Sequence, residues 1–344
     1  MNIEGVWYRN SVSERAARIA LAPLSWLYGS GVLVRNSLYD RAILFRSTVS
    51  SVPVVSVGNL TVGGTGKTPF TAYLVRELLA MGHRPAVVMR GYGGDEPILH
   101  SRLNPEASVY TGANRAQSIA QAAREGADIV VMDDAFQHRA AARDLDIVLV
   151  SADMWRENLR VLPAGPLREP LTSLDRADIV IVIRKRADVA TAARVAKSLS
   201  KYLRPRTLLV TAAIAPVELT AFSTPATKPL QALRGASVLA IAGVGDPASF
   251  FAQLRLLGAQ VTESRFPDHH AYTADDAARI ARQSVGHKYA VTTEKDAIKL
   301  ASVWPANAPE LWYLSQAVAL ADASMSVAAA LAKLFVKRAT SIVG

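Results

Sequence analysis

Short apolar runs alternate with amphipathic segments along most of the chain. An apolar, β-branched run at 52–57 enters a glycine-rich loop, and an amphipathic segment at 69–81 leaves it. Short apolar runs bounded by turn residues predict strands, and apolar residues three and four apart predict helices. Further strands are predicted at 86–89, 129–132, 147–150, 179–183 and 208–210, with helices at 116–125 and 190–202. This alternation predicts an α/β fold of the P-loop NTPase type, a parallel sheet with helices on both faces.

The pattern weakens over 212–235, where three prolines are scattered among threonines and alanines. We predict that this stretch is a linker. A second α/β series follows it, with strands at 238–242, 260–266, 289–292 and 311–314 and helices at 247–257 and 273–284. The predicted organisation is an N-terminal segment (1–50), a phosphate-loop domain (51–211), the linker (212–235) and a second, smaller α/β domain (236–344).

The loop after the first strand has the features of a phosphate-binding loop. Its sequence is Thr61-Val62-Gly63-Gly64-Thr65-Gly66-Lys67-Thr68. Glycines let successive backbone N–H groups turn towards one anion at the positive end of a helix. Lys67 is placed to reach the outer phosphates, and the Thr68 hydroxyl is placed to bind magnesium. Thr61 stands where the usual motif has glycine, so the prediction of nucleotide binding depends on the strand before the loop and the helix after it.

Two further candidate stretches follow predicted strands. The carboxylates of Asp133 and Asp134 come directly after the strand at 129–132. Phosphate-loop enzymes hold magnesium with a carboxylate at such a strand end, so either aspartate could share the ion with Thr68. Two turns at 90–93 and 94–97, which together contain three glycines and the carboxylates of Asp95 and Glu96, follow the strand at 86–89, at the edge where ligands of open α/β sheets bind.

Composition narrows the possible functions. The 344 residues contain no cysteine, which excludes a disulfide scaffold, an iron–sulfur cluster and a cysteine-based zinc site. The formal net charge of +10 favours an acidic partner such as nucleic acid, anionic lipid or a phosphorylated substrate. Because no stacking motif or nucleic-acid-binding module is recognisable, we expect no nucleic-acid partner.

The N-terminal segment contains an uncharged, apolar stretch at 19–34 between arginines. It is shorter than the ~20 apolar residues of a membrane span, and Pro23, Gly29 and Gly31 interrupt it. No signal-peptide cleavage site stands out. Two interpretations remain: a helix that lies in a membrane interface, with tryptophan and tyrosine at headgroup depth, or a helix packed on the protein.

Several stretches together resemble the tetraacyldisaccharide 4′-kinases of lipid A biosynthesis, in the order that the family has them. They are 57–69, 90–97, 133–139, 162–169, 268–269 and 292–297. The chain departs from the family's pattern in two places. The turns at 90–93 and 94–97 are fused, and Ala135 replaces a usual glycine, which matters only if residue 135 needs a positive φ.

The resemblance implies transfer of the γ-phosphoryl group of ATP, with Mg²⁺, to the 4′-hydroxyl of an acylated glucosamine disaccharide 1-phosphate. It implies a peripheral enzyme at the cytoplasmic face of the bacterial inner membrane, and we expect a monomer. Since the substrate's acyl chains lie in a bilayer, the resemblance favours the interfacial helix and an anionic membrane surface as partner.

The resemblance also implies roles for individual residues. A sugar hydroxyl is a poor nucleophile, so a nearby carboxylate should accept its proton. We predict that Asp95 is this base, oriented by His269 of the second domain across a closing cleft, with Asp134 as the alternative. Lys67 would hold the β- and γ-phosphates. Further residues for phosphate or acceptor binding are Tyr92, Glu96, Arg115, Arg168 and Glu169.

The alternative from another class is a phosphate-loop switch or partitioning ATPase that moves a partner protein. It explains the phosphate loop and the paired aspartates. It gives no role to the turn at 94–97, to the loop that carries Arg168 or to the second domain. The two hypotheses differ in whether the γ-phosphate reaches a lipid or only water.

Overall fold

The computed structural model describes residues 3–8, 11–44, 50–91, 94–268, 270–321 and 327–335. These residues form two compact units. The first unit takes its residues from 1–90, 104–214 and 318–344, and the second from 91–103 and 215–317.

Nine helices and twelve strands are named here in chain order among the described residues. The helices are α1 (Ile3–Tyr8), α2 (Val12–Asp40), α3 (Lys67–Ala80), α4 (Asp95–Leu103), α5 (Arg115–Arg124), α6 (Val189–Leu199), α7 (Pro247–Leu256), α8 (Ala274–Ser284) and α9 (Glu294–Ala301). The strands are β1 (Val54–Asn59), β2 (Pro85–Met89), β3 (Ser108–Thr111), β4 (Ile129–Met132), β5 (Leu145–Ser151), β6 (Ile179–Arg184), β7 (Leu208–Ala221), β8 (Thr227–Pro229), β9 (Ser237–Ala242), β10 (Gln260–Arg265), β11 (Tyr289–Thr292) and β12 (Leu311–Leu320). Residues 327–335 are also helical.

The first unit is built on a parallel sheet with the order β3-β2-β4-β1-β5-β6-β7. Alternate residues of β1 face opposite layers. Val55 packs with Phe70 of α3 in one core. Val54 packs with Ile119 of α5 in another core. Because helices cover both faces, the central strands β1 and β4 are buried throughout, and β4 appears in the sequence as a continuous apolar run. The predicted α/β fold of this unit is confirmed.

The second unit has its own parallel strands, in the order β10-β9-β11-β12. Phe251 of α7 packs against Val238 on one side of β9. Ile280 of α8 packs against Leu239 on the other side. This unit is therefore also a sheet with helices on both faces, as the second series of elements predicts.

The units differ from the predicted domains in two places. Residues 91–103, predicted to belong to the phosphate-loop domain, lie in the second unit, and the chain returns to the first unit from 318 onwards. The predicted linker is largely structured, since β7 continues to Ala221 and pairs with β8. At 210–214 of β7, every second residue is buried, because successive side chains of a strand point to opposite faces. The sequence therefore shows no continuous apolar run that would have indicated a strand in this stretch.

Helix α2 also differs from its sequence pattern. It runs unbroken for 29 residues through Pro23, Gly29 and Gly31, so the prediction that these residues interrupt it is wrong. Its start is fixed by a capping box, in which the side chains of Ser11 and Glu14 bond to each other's backbone N–H groups. Hydrogen bonds and packing on the first unit compensate for the backbone bond that Pro23 removes.

A tight contact between β1 and the chain after β4 gives a stability prediction. A Cβ atom on Gly58 would lie 2.6 Å from Phe136 Cβ and 2.7 Å from its backbone nitrogen. We expect Gly58→Ala to lower the free energy of unfolding by about 1–3 kcal/mol through overpacking, measured as a lower Tm. Gly31→Ala is the matched control, because nothing lies within 4 Å of its Cβ position. An unchanged Tm for Gly58→Ala would contradict this packing.

Candidate active site

The phosphate loop joins β1 to α3, as predicted. Gly63 and Gly66 have φ values of 108° and 92°, in the left-handed region that favours glycine. The buried amide of Asn59 donates a hydrogen bond to Thr65 Oγ1 at 2.8 Å, and this bond fixes the loop from within. Lys67 is the first residue of α3, so its amine lies at the positive end of that helix.

The substitution of threonine for glycine at residue 61 is compatible with this loop. Thr61 does not have a positive φ, so the backbone does not require glycine there. It forms a β-bridge with Leu167. Val62 donates its backbone N–H to the carbonyl of Pro166 at 2.8 Å. The loop that carries Arg168 is therefore hydrogen-bonded directly to the phosphate loop.

The two aspartates after β4 have different environments. Asp133 is buried, and its Oδ1 accepts hydrogen bonds from Thr71 Oγ1 at 3.2 Å and from the backbone of Asp134 at 2.9 Å. The Asp134 side chain is 40% exposed, and its Oδ1 lies 3.6 Å from Lys67 Nζ. Asp134 has a φ of 47°, whereas Ala135 is not in the left-handed region. The replacement of glycine at residue 135 is therefore tolerated.

Two predicted arginines contact Asp134. Arg168 Nη1 lies 2.9 and 3.0 Å from the two carboxylate oxygens. Arg115 Nη1 donates to the Asp134 backbone carbonyl at 3.0 Å. Burial lowers the pKa of the Arg115 guanidinium, and the nearby charges of Asp134 and Asp133 act in the opposite direction. The structure thus brings Lys67 and Arg168 to the Asp134 carboxylate and Arg115 to its backbone carbonyl, while the roles of all three stay predictions.

Glu169, predicted as a further site residue, is enclosed by the protein. It is fully buried, and its Oε2 accepts hydrogen bonds from Asn36 Nδ2 and Arg176 Nη2, both at 2.9 Å. Oε2 of this carboxylate is therefore engaged by protein donors, and a role for Glu169 in binding substrate stays a prediction. Its contacts are with α2 and with the 3₁₀ helix Leu171–Arg176.

A cluster of basic residues near Asp134 was not identified from the sequence. His138 is half-buried, and burial, followed by Arg115, Arg143 and Arg90, lowers its pKa to about 4. The imidazole is therefore neutral near neutral pH. Arg143 donates to the carbonyls of Ala135 and His138, which fixes the turn after the paired aspartates. The surplus of arginine here favours a polyanionic ligand.

The predicted base lies in the second unit and begins α4. Asp95 is buried, and its Oδ2 lies 3.2 Å from Lys299 Nζ. Glu96 lies 2.8 Å from Lys295 Nζ. The prediction that 94–97 is a turn is wrong, since both carboxylates are in the first turn of a helix, where its dipole favours negative charge. The two lysines are one helical turn apart on α9, and that spacing is a signal the sequence could have provided.

Tyr92 and His269 lie outside the described residues. The predicted pairing of His269 with Asp95 therefore stays a prediction. So does the predicted placement of Tyr92 on the acceptor side. The fused stretch 90–97 is described at its two ends only, Arg90-Gly91 and residue 94 onwards.

The donors present fit a magnesium ion that binds together with a nucleotide. Among the described residues, no group of three or more histidine, aspartate or glutamate side chains has the arrangement of a metal site. Mg²⁺ at nucleotide sites typically takes only one or two protein ligands, and the rest are phosphate oxygens and water. Asp134, exposed and beside Lys67, and the half-buried Thr68 supply a donor set of that kind.

Comparisons with known proteins find one family of kinases. Residues 17–335 match the model of the family described as tetraacyldisaccharide-1-P 4′-kinase, LpxK. The tetraacyldisaccharide 4′-kinase of Halorhodospira halophila is 37% identical over 334 residues, which are 91% of each chain. That of Syntrophus aciditrophicus is 40% identical over 316 residues, 82% of this chain and 84% of the relative.

A solved structure has the same fold over nearly the whole chain. The crystal structure of the "apo" form of LpxK from Aquifex aeolicus in complex with ATP matches with a TM-score of 0.73. It covers 93% of this chain and 99% of the other at 29% identity. Because the family model spans most of the sequence and the phosphate loop and paired aspartates lie at one site, the chain belongs to the tetraacyldisaccharide-1-P 4′-kinase family.

Proposed function

We propose that this chain transfers the γ-phosphoryl group of ATP to the 4′-hydroxyl of tetraacyldisaccharide 1-phosphate, a lipid A precursor. The observation that carries this proposal is the meeting of Lys67, Arg168 and Asp134 at the phosphate loop of a chain from this kinase family. Phosphoryl transfer requires positioning and charge neutralisation more than covalent chemistry, and this cluster is suited to both.

Nucleotide binding begins with the backbone of the phosphate loop. The N–H groups at 63–66 and Lys67 would hold the β- and γ-phosphates at the start of α3. The half-buried guanidinium of Arg168 would share the charge of the transferring group, because an arginine fork binds phosphate oxygens at two points. Arg115 is buried and would act by holding the backbone of Asp134.

Asp134 and Thr68 would hold Mg²⁺, with Asp133 behind them. The ion would neutralise charge on the transferring phosphoryl group. Asp133 is bonded to Thr71 and to the backbone of Asp134, so it would orient the turn. In this structure Lys67 and Arg168 form ion pairs with the Asp134 carboxylate. Bound phosphates would offer these two cations a second anionic partner.

Asp95 is the base that we propose for the sugar hydroxyl, with His269 to orient it. The Lys299 ammonium 3.2 Å away holds this carboxylate in one position. Asp134 is the alternative base, but in this structure it is engaged by both Lys67 and Arg168. A carboxylate that binds the metal and two cations is less suited to accept a proton, which favours Asp95.

We propose that α2 lies in the cytoplasmic face of the inner membrane. By length and composition it could cross a membrane, and 17% of its most apolar window is buried. Its outward face exposes large apolar side chains, including Trp26 and Leu27, each 73% exposed. Its inward face bonds to the first unit through Ser25 and Asn36. A helix with one face bonded to the protein fits the plane of the interface better than a span.

A switch or partitioning ATPase remains the alternative of a different class. It would need the same phosphate loop and aspartates. It would have no use for an exposed apolar helix or for the buried Asp95. An assay that follows the phosphoryl group separates the two hypotheses.

Transfer of the γ-phosphoryl group to lipid can be assayed directly. Purified protein with γ-labelled ATP, Mg²⁺ and acylated disaccharide 1-phosphate in detergent should yield labelled lipid. Lys67→Ala should lower that rate at least about 100-fold, because the developing phosphoryl charge loses a cation. Lys197→Ala, which removes an exposed lysine of α6, should leave it unchanged. Release of phosphate to water with no labelled lipid would overturn the kinase proposal.

The identity of the base is tested by changing Asp95 and its ion-pair partner separately. Asp95→Asn should lower kcat by about 10²–10⁴-fold, with the KM for ATP nearly unchanged, because general-base catalysis contributes on this scale. Lys299→Met removes the same ion pair but keeps the carboxylate, so its loss should be much smaller. Equal losses in the two variants would show that the ion pair matters and that Asp95 is not the base.

Binding of α2 to a membrane is tested by sedimentation with liposomes. The double variant Trp26→Glu, Leu27→Glu should sediment far less with anionic liposomes, because charge replaces exposed apolar surface. Its activity on substrate in detergent micelles should be retained. Val285→Glu changes an apolar side chain of similar exposure (72%) in the second unit and should leave sedimentation unchanged. Unaltered sedimentation of the double variant would contradict the assignment of this face.

A further inference from the structure

We propose that Asn36 of α2 is a positioning residue for catalysis, which acts through Glu169 on Arg168 and hence on Asp134. The helix assigned to the membrane would then also complete the active site. This inference rests on the proposed function, because it requires that Arg168 and Asp134 act in phosphoryl transfer. Every residue in it lies in the first unit.

The first step is the fixed position of Glu169. Its Oε2 accepts from Asn36 Nδ2 and from Arg176 Nη2, both at 2.9 Å, and Arg35 Nη2 lies 3.6 Å from Oε1. The carboxylate is fully buried. A buried charge is stable only where its partners hold it in good geometry. Asn36 and Arg176 therefore determine where Glu169 sits.

The second step is from Glu169 to its chain neighbour. The backbone N–H of Arg168 donates to Leu60 O at 2.7 Å, next to the phosphate loop. On its other side, the hydroxyl of Tyr28 on α2 donates to Arg168 O at 2.9 Å. Since residues 168 and 169 share a peptide unit, a displacement of Glu169 moves the point from which the Arg168 side chain reaches Asp134.

The third step is a parallel connection to the turn after the paired aspartates. Arg35 Nη2 donates to Gln137 O at 2.8 Å. Arg139 Nη1 donates to Asn36 O at 3.0 Å, and its Nη2 lies 2.6 Å from Asp40 Oδ1. The C-terminal half of α2 thus bonds to both loops that carry the Arg168–Asp134 pair.

The middle of α2 makes contacts of a different kind. Ser25 Oγ donates to Val161 O at 3.0 Å and accepts from the N–H of Ala164 at 2.8 Å. A Cβ atom on Gly29 would lie 3.3 Å from Val161 Cγ2, so the helix approaches this loop closely. These bonds hold α2 to the protein without involving Glu169. The helix therefore offers a control for anchoring alone.

The size of the expected effect follows from geometry. A misplacement of about 1 Å from a mutation outside the reacting groups can cost about 100-fold in rate. The hydrogen bonds of Asn36 and Glu169 join these residues to each other, to Arg139 and to Arg176, outside the loop at 61–68. The loss should therefore appear in kcat, with little change in the KM for ATP.

The test exchanges the two partners. Asn36→Asp sets a second carboxylate against Glu169, and Glu169→Gln removes the buried charge that Arg176 faces. Each single variant should lower kcat about tenfold or more, with KM for ATP within about twofold. The double variant Asn36→Asp, Glu169→Gln keeps one negative charge and one amide at the contact. It should recover kcat to within about threefold of wild type. Assays in detergent micelles exclude an effect of liposome binding.

Ser25→Ala is the matched control on the same helix. It removes two buried hydrogen bonds and should lower the Tm while leaving kcat unchanged. Tm and ATP binding are measured for every variant, and Asn36→Ala replaces Asn36→Asp if the latter fails to fold. The inference is overturned if Ser25→Ala lowers kcat as much as Asn36→Asp, if Asn36→Ala leaves kcat unchanged, or if the double variant is no better than the singles. Absence of labelled lipid with the wild type would instead refute the proposed function.

Discussion

The candidate site of the first unit is centred on one electrostatic arrangement, the Asp134 carboxylate between Lys67 and Arg168. Three separate parts of the chain supply it. The carboxylate of Asp134 follows β4, the amine of Lys67 lies at the end of the phosphate loop, and the guanidinium of Arg168 lies on the loop beside α2. Each is carried on backbone that is bonded to the others. A binding site for a polyanion needs such a set of opposed charges, because cations brought together without a counter-charge would repel one another.

Buried carboxylates fix loops in both units. In the first, Glu169 holds its loop against α2. In the second, the fully buried Asp296 accepts hydrogen bonds from the backbone of Gly243 at 2.9 Å and from Thr293 Oγ1 at 2.8 Å. Burial and the charge of Asp296 raise the pKa of the nearby Tyr272 hydroxyl. A buried charge tolerates few arrangements of its donors, so it specifies a loop conformation more strictly than apolar packing does.

The parts of the fold that follow from local pattern could be predicted from the sequence. The strand, glycine loop and helix around Lys67 carry their own signals, and so do the apolar run and carboxylates that end at Asp134. Whether threonine can replace the usual glycine at residue 61 could be decided only from the backbone φ of that residue. The role of Asn36 depends on Glu169, which is more than 100 residues away in the chain. The role of Arg143 depends on backbone carbonyls. Neither kind of contact leaves a local pattern in the sequence. The assignment of 91–103 to the second unit depends on packing of α4 with α9, which no periodicity reveals.

The return of the chain to the first unit has a consequence for how the protein is made. Val327, Leu331 and Leu334 are buried in the same core as Phe70 and Leu74 of α3. The ring of Phe335 stacks on His83 with centroids 3.8 Å apart. This core therefore stays incomplete until the ribosome has synthesised the chain through residue 335. During translation, part of the apolar surface of the first unit's sheet would stay exposed until then. Folding of the first unit therefore follows folding of the second unit or coincides with it. Before that point, the exposed apolar surface is one that a chaperone could bind.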